Sequence, residues 1–296
     1  MITRNKITLE DRQVFASYFH NLDNSTYNFT NMFMWSGDSF ITYDIVQGCL
    51  VLFFQAAKQP PAASYPIGKG DKKEAIREVC AYLTEQGAHP VFRNLSEWMK
   101  NELEEIYPEH FAFIYDRNNS DYVYETEKLI TLSGKKLHAK RNHYNYFVRH
   151  YDFSYCRLTA ADMPECRELF GSWLDAKGEE ESASGSKAAT YAVLDNFEAL
   201  GVTGGGIRIN GKLAAATFAE VVTENTVLEH LEYGDNSYRG IFNVINQQFC
   251  EHEWSDYSYI NREEDMGLDG LRQAKMAYRP VYLIDKYAAV LKADKL

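Results

Sequence analysis

At 296 residues, with 45% hydrophobic and 25% charged side chains, the chain has room for two domains of ordinary globular composition. Its formal charge of −11 repels phosphate backbones at long range, which argues against general nucleic-acid binding and leaves only a local basic patch for such a ligand. No apolar run reaches the ~18 residues of a membrane span, and the first residues lack the apolar segment of a signal peptide, so a cytoplasmic protein is expected. The five cysteines are scattered, form no C-x-x-C pair and read as free thiols with no disulfide partner.

In chain order, Thr8-Leu9-Glu10-Asp11 reads as a capping box opening a helix to about His20. The aromatic stretch from Tyr27 to Trp35 predicts a second short helix. Two β-rich runs, Phe40 to Val46 and Cys49 to Gln55, flank Gln47-Gly48 and predict a hairpin. Between Asp71 and Gln86 the apolar residues Ala75, Ile76, Val79, Cys80 and Leu83 recur at helical spacing, with Gly87 as a stop signal. A strand at Pro90–Arg93, a helix at Ser96–Ile106 and a strand at Phe111–Tyr115 complete a first α/β unit, followed by a polar turn over 116–121.

From Lys128 to His150 the chain holds six Lys/Arg, three His and no acid. Its later part has helical periodicity, with Leu137, Tyr144, Phe147, Val148 and Tyr151 on one side and Lys136, Lys140 and His143 on another. Such uncompensated charge fits a solvated face equally with a phosphate or carboxylate ligand.

The second unit begins near Asp152. A strand at Phe153–Leu158 precedes helices at Asp162–Ala176 and Lys187–Leu200, joined by a polar, mobile stretch over 178–186. Asn210-Gly211 between Gly206–Ile209 and Lys212–Val222 is the strongest hairpin signal in the chain. A strand at Thr226–Tyr233 follows, then a helix from Ile241 whose buried face carries Val244, Ile245 and Phe249. Tyr257–Ile260 reads as a strand, Leu268–Tyr278 as a helix and Val281–Ile284 as a last strand.

Two places carry chemistry. Ser237-Tyr238-Arg239-Gly240 joins a strand to a helix N-terminus, where free amides, the dipole and the Arg239 fork suit a pyrophosphate. The stretch from Ile260 to Lys275 follows a strand. There Arg262, Arg272 and Lys275 would hold anionic groups, and Glu263, Glu264 or Asp265 would accept a proton from an amine nucleophile. For both places the bland alternatives, a packed turn and a loop tied by local ion pairs, stay open. P-loop, G-x-G-x-x-G, H-E-x-x-H and G-x-S-x-G patterns are absent, and His and Cys do not cluster at metal spacing; no metal is expected.

Three segments, 27–35, 132–143 and 261–272, together resemble a bacterial family grouped with the C-terminal domain of phosphatidylglycerol lysyltransferase, and the resemblance spans nearly the whole chain. It implies an α/β (α+β) protein of two tandem domains with the GCN5-related N-acetyltransferase (GNAT) fold, each a mixed, mostly antiparallel sheet flanked by helices. The expected division is 1–125, a basic connecting region 126–151, and 152–296 carrying the donor site. By this analogy Thr226–Tyr233 is the splayed strand, and Glu229, His230 and Glu232 come near the site. Glu229, His230, Glu263 and Tyr259 (or Tyr257 as the acid) are then the candidate catalytic residues. Leu231, Tyr233, Tyr238, Arg239, Gly240, Ile241, Phe242 and Asn243 are the candidate binding residues for coenzyme A or acyl-CoA. Trp35, Lys140, Arg141, Arg262, Asp265, Arg272 and Lys275 are the candidate substrate contacts.

The function implied is acyl transfer from a CoA thioester, a small-molecule donor, to an amine or hydroxyl acceptor. Two alternatives stand beside it: aminoacyl transfer from aminoacyl-tRNA to a lipid or peptide acceptor, with Lys135–Arg149 serving the RNA, and a non-catalytic metabolite-binding module.

Overall fold

A computed structural model describes residues 2–37, 41–55, 59–177 and 181–293, with the backbone alone for 175–177 and 181–185. The described residues form fourteen strands in two seven-stranded sheets. The chain divides into two compact units, Met1–Asp121 with Ile284–Leu296, and Tyr122–Leu283.

In the first unit the strands are β1 (Asn5–Lys6), β2 (Ile41–Val46), β3 (Cys49–Phe54), β4 (Ala62–Ser64), β5 (Val91–Leu95) and β6 (Phe111–Tyr115). Its helices are α1 (Arg12–Tyr18), α2 (Phe29–Met34), α3 (Lys72–Glu85) and α4 (Glu97–Ile106). Asp11 closes the box ahead of α1 by accepting from the Thr8 amide and hydroxyl. The β2–β3 hairpin turns through Gln47 and Gly48, both with positive φ, which gives a tight two-residue turn. The start of that hairpin expected at Phe40 lies outside the described residues. The core packs α3 and α4 through Ile76, Val79, Leu83, Met99 and Leu103 against the sheet residues Val51, Phe53, Phe92 and Phe111.

In the second unit β7 (Asp121–Glu125) is followed by α5 (Thr126–Thr131), α6 (His138–His150), β8 (Phe153–Leu158), α7 (Met163–Lys177) and α8 (Glu181–Asp195). Then come α9 (Phe197–Leu200), β9 (Thr203–Ile209), β10 (Lys212–Thr223), β11 (Thr226–Gly234), α10 (Ile241–Glu253), β12 (Tyr259–Asn261), α11 (Asp269–Met276) and β13 (Tyr282–Ile284). The last strand, β14 (Tyr287–Leu291), belongs to the first sheet. The helix expected from Lys187 begins at Glu181, so 181–186 of the expected mobile join are helical, and its residues 178–180 lie outside the described residues. On α6, Phe147 is buried but Val148 is 45% exposed, so Val148 is not on the packed side expected for it.

Both sheets run in the same order. The first is β1-β2-β3-β4-β5-β14-β6 and the second is β8-β9-β10-β11-β12-β7-β13 from its other edge. Each has one parallel pair at its centre, β4 with β5 and β11 with β12, and the other registered pairs are antiparallel. The two units are thus similar mixed α/β sheets flanked by helices.

The sixth place in each sheet is filled from elsewhere in the chain. β7 follows β6 in sequence but pairs in the second sheet, and β14 follows β13 but pairs between β5 and β6. The observed units therefore differ from a simple 1–125/152–296 division. The region 126–151 is part of the second unit, and the C-terminal strand is part of the first.

In the second unit α10 lies directly on β9. A Cβ at Gly205 would stand 2.4 Å from the Phe249 ring, so this glycine is what lets the helix approach. The core there joins Ile207, Ile209 and Ala215 of the sheet to Val244 and Ile245 of α10 and Phe147 of α6.

Candidate functional site

β11 and β12 run side by side for only three residues each, Thr226–Leu228 against Tyr259–Asn261. Beyond them β11 continues to Gly234 in its pairing with β10, while the chain after Asn261 turns into a loop ahead of α11. The parallel pair opens, and the opening is filled by charged side chains.

A bulge sets their directions. On β10, Phe218 faces Leu231 and the next residue, Ala219, faces Glu229, so His230 is an extra residue on β11. In a regular strand residues 229 and 232 point to opposite faces. The inserted residue shifts the alternation by one, and both carboxylates then reach the same guanidinium. Arg262 lies 3.0 Å from Glu229 and 2.9 Å from Glu232. His230 points elsewhere, with Nδ1 3.0 Å from Glu263 and Nε2 3.0 Å from Glu220 on β10.

Burial works against a charged imidazole, yet the hydrogen bonds and charges of Glu220 and Glu263 lift His230 to about 9. His230 is therefore an imidazolium at neutral pH, locked between two carboxylates. Burial likewise opposes the charge on Arg262, and Glu229 and Glu232 overcome it, so this guanidinium stays protonated. Burial pushes the Glu232 carboxyl up to about 7; the Arg262 charge pulls it down and the Glu229 charge pushes it further up. Its Oε1 faces Arg262, while its buried Oε2 accepts no hydrogen bond among the described residues. Both amide atoms of buried Asn246 on α10 are also without a partner among the described residues.

Lys140 and Tyr278 complete the group. The Lys140 ammonium stands 4.1 Å from the centre of the Tyr278 ring, and the Arg262 guanidinium 5.6 Å from it. Asn243 donates to the Tyr278 hydroxyl at 2.7 Å. Burial pulls the Lys140 ammonium down, helped by the Arg262 charge and opposed by Glu232. Burial raises the Tyr278 phenol, so it stays protonated.

The loop from Arg262 to Leu268 is held by residues expected to contact substrate. Arg272 grips Asp265 with two hydrogen bonds of 2.8 Å, and Tyr122 donates to the same carboxylate. Burial raises the Asp265 carboxyl, but the bonds from Arg272, Tyr122 and Gly267 outweigh it and leave Asp265 strongly acidic. Lys275 donates to the Arg262 carbonyl at 2.5 Å and also to the Glu264 carbonyl. In this geometry Asp265, Arg272 and Lys275 shape the loop that carries Arg262 and Glu263. Tyr259 sits within β12 opposite Glu125 and edge-on to Tyr282. Trp35 lies in the first unit.

At the expected donor turn the residues are packed. A Cβ at Gly240 would stand 2.6 Å from the His143 carbonyl oxygen, so this glycine admits the backbone of α6. Arg239 lies 4.4 Å over the Tyr146 ring, and Tyr238 is edge-on to Tyr151. The Ile241 amide donates to Tyr238 and the Asn243 amide to Gly240, so two of the first amides of α10 are engaged by the turn itself. Ile241 is buried and Phe242 packs partly buried against the same core. Tyr233 is buried beside Phe170, and half-buried Leu231 pairs with Phe218.

Arg141 donates to the carbonyls of Leu132, at 2.5 Å, and Gly134, at 3.2 Å. Among the described residues no group of three or more His, Cys, Asp or Glu side chains is arranged to hold a metal, and no helix is long and apolar enough to cross a membrane.

Sequence reading missed Glu220, Tyr278 and Tyr122. None carries a local signal, because each matters through a partner far away in the chain.

Solved structures share this architecture. A conserved protein of unknown function from Bacteroides thetaiotaomicron is 36% identical, with a TM-score of 0.91, over 99% of this chain and 100% of that one. L-PGS from Bacillus licheniformis is 18% identical, with a TM-score of 0.67, over 100% of this chain and 96% of that one. FemX is 10% identical, with a TM-score of 0.59, over 98% of each chain. These last two show the shared fold.

An uncharacterised protein of Mycoplasmoides gallisepticum is 25% identical over 196 residues, 63% of this chain. The match spans 61% of the length of that curated relative. The family described as phosphatidylglycerol lysyltransferase, C-terminal, matches residues 19–290. The chain belongs to the phosphatidylglycerol lysyltransferase C-terminal family.

Proposed function

We infer that the chain is an aminoacyltransferase of GNAT type, moving an aminoacyl group from a tRNA ester to a hydroxyl or amine acceptor at the opening between β11 and β12. The observation that carries this reading is Glu232. Its carboxyl is lifted to about 7, one oxygen faces Arg262, and the other accepts no hydrogen bond among the described residues. A carboxylate so poised is suited to take a proton at neutral pH.

In the reaction the acceptor O–H or N–H attacks the ester carbonyl and gives its proton to Glu232. The new ester or amide bond forms, the bond to the tRNA ribose oxygen breaks, and that oxygen takes the proton from Glu232, which restores the carboxylate. Arg262 keeps Glu232 in place, and Lys140 supplies positive charge for the developing oxyanion. His230, charged and locked, holds Glu263 and the loop rather than acting as the base. Glu229 offsets the Arg262 charge.

Family membership supports an aminoacyl donor: the matching description is a lysyltransferase. The packing of Gly240 against α6 and the bonded amides at the start of α10 weigh against a pyrophosphate there, and so against coenzyme A as the donor.

The test pairs two measurements. The chain is incubated with lysyl-tRNA and phosphatidylglycerol or a polyamine, and labelled lysine is followed into the acceptor. In parallel, thermal unfolding is recorded with CoA and acyl-CoAs, where ligand at 100 times its dissociation constant adds about 2.7 kcal/mol. Labelled product that disappears with Glu232→Gln supports the proposal. Stabilisation by acyl-CoA, with no product from any aminoacyl-tRNA, sinks it.

A further inference from the structure

Thr217 on β10 lies directly opposite Gly205 on β9 and directly opposite Glu232 on β11. Residues directly opposite one another in an antiparallel sheet share a face. At Gly205 that face lies under α10, since a Cβ there would meet the Phe249 ring. Ala215, two residues before Thr217 and so on the same face, shares a core with Val244 and Ile245 of α10. Thr217 and Glu232 therefore both point towards α10.

Helical spacing brings Asn246 to the same layer. It stands three residues before Phe249, whose ring covers Gly205, and three after Asn243, which reaches Tyr278. It stands four before Cys250, whose thiol is raised by burial first and then by Glu229, with Arg262 opposing and Glu232 adding to the rise. Asn246 is 1% exposed and Thr217 is fully buried. Four polar atoms here have no hydrogen-bond partner among the described residues: Thr217 Oγ1, Glu232 Oε2, and Oδ1 and Nδ2 of Asn246. Buried polar groups of this kind are met by ordered water, which typically makes about three hydrogen bonds to them.

We propose that a bound water bridges Glu232 to Thr217 and Asn246, and that Thr217 and Asn246 are positioning residues for the Glu232 carboxylate. Donors and acceptors balance. The water accepts from Asn246 Nδ2 and donates to Glu232 Oε2 and to Thr217 Oγ1, and the Thr217 hydroxyl donates to Asn246 Oδ1. A carboxylate oxygen has two acceptor sites, so the bridge leaves Oε2 able to take a proton. A donor to a carboxylate favours its charged form. The bridge thus opposes the burial that raises Glu232, on the side of Arg262 and Lys140 and against Glu229. Cys250 from α10 and Tyr278 from the turn after α11 face the same carboxyl, and both stay protonated. The positioning role rests on the aminoacyltransferase reading; the bridge does not.

The experiment titrates the Glu232 carboxyl by NMR, without substrate, in the full chain labelled with carbon-13 glutamate. The signal is assigned by its loss in Glu232→Gln. Thr217→Val and Asn246→Leu keep the bulk and remove the bonds, and each raises the Glu232 midpoint by about one unit, tenfold in its acid constant. Thr217→Ser keeps the hydroxyl and leaves the midpoint in place. With nitrogen-15 asparagine, the Asn246 side-chain amide shows a cross-peak to bound water that Thr217→Val removes. In the transfer assay both apolar variants move the rise of rate with pH upward by the same amount, whereas a merely structural role lowers the rate at every pH. A midpoint unmoved by Thr217→Val, or an Asn246 amide without contact to water, overturns the bridge. If Asn246→Leu does not fold, Thr217→Val against Thr217→Ser decides alone. Transfer with an unmoved midpoint keeps the function and sinks the bridge. A shifted midpoint in a chain that transfers nothing keeps the bridge and sinks the positioning role.

Discussion

Lys286 and Asp121 are 165 positions apart, both buried, and meet at 2.6 Å within the first unit. Asp121 begins β7 and Lys286 stands just ahead of β14, the two strands that leave their neighbours in sequence for another sheet. Ser25 completes the group: its amide and hydroxyl donate to the Asp121 carboxylate at 2.8 Å, and its hydroxyl accepts from Lys286 at 2.8 Å. Lys286→Met leaves a buried carboxylate without its counter-charge. The expected loss of stability is about 3–5 kcal/mol, read by denaturant unfolding. Lys286→Met combined with Asp121→Asn loses less than Lys286→Met alone, since no lone charge remains. A double variant as unstable as the single one would mean that the ion pair is not what matters.

Both members of that pair escaped sequence reading, and the reason is physical. Helices and hairpins announce themselves locally, through the Thr8 box, the spacing of Ile76, Val79 and Leu83, and the turns Gln47-Gly48 and Asn210-Gly211. The strands β7 and β14 are short, and their partners lie far away in sequence, so nothing nearby marks them. The polar stretch around 261–265 stood out from its own residues as candidate chemistry, whereas 229–232 entered only through the family resemblance. The bulge at His230 was not legible, and without it Glu229 and Glu232 belong to opposite faces. Arg272 and Lys275 had the chemistry of ligand holders, yet the loop they stabilise is their own neighbour.

The imidazolium of His230 makes stability depend on pH. Its proton is held to about 9 in the folded chain against 6.5 in the unfolded one. The contribution is fully present below about pH 6.5 and fades as pH rises towards 9, by at most about 3 kcal/mol. Guanidinium unfolding at pH 6 and pH 9 measures the difference. His230→Gln is less stable than the natural chain at pH 6 and shows a smaller slope. A natural chain equally stable at both values contradicts the locked imidazolium.

Gly240 and Arg239 separate packing from ligand binding. Gly240→Ala places a methyl group against the His143 carbonyl at a residue with φ of +95°, so it costs more than about 1 kcal/mol. Arg239→Ala removes only the stacking on Tyr146, about 0.5–1 kcal/mol at such a site. Thermal unfolding of the two variants ranks them. A Gly240→Ala chain as stable as the natural one would show that α6 yields easily, and the turn would again be open to a ligand.

Glu232 links activity to strain. If it takes the acceptor proton, the transfer rate rises with pH through about 7 and then levels, because the carboxylate is the working form. Glu232→Gln removes that rise and costs about 10²–10⁴-fold in rate. The same shift has a consequence for folding. A carboxyl whose proton is held more tightly in the folded chain favours folding below its unfolded value of 4.5, and that contribution is lost as pH rises through 7. Above pH 7 the folded chain therefore carries an uncomfortable charge, and Glu232→Gln, neutral and of the same shape, is more stable there than the natural chain. A variant slow in transfer yet harder to unfold at pH 8 is the signature of a residue kept for chemistry at the expense of stability. A variant both slow and less stable at pH 8 would instead mark Glu232 as a strut for Arg262.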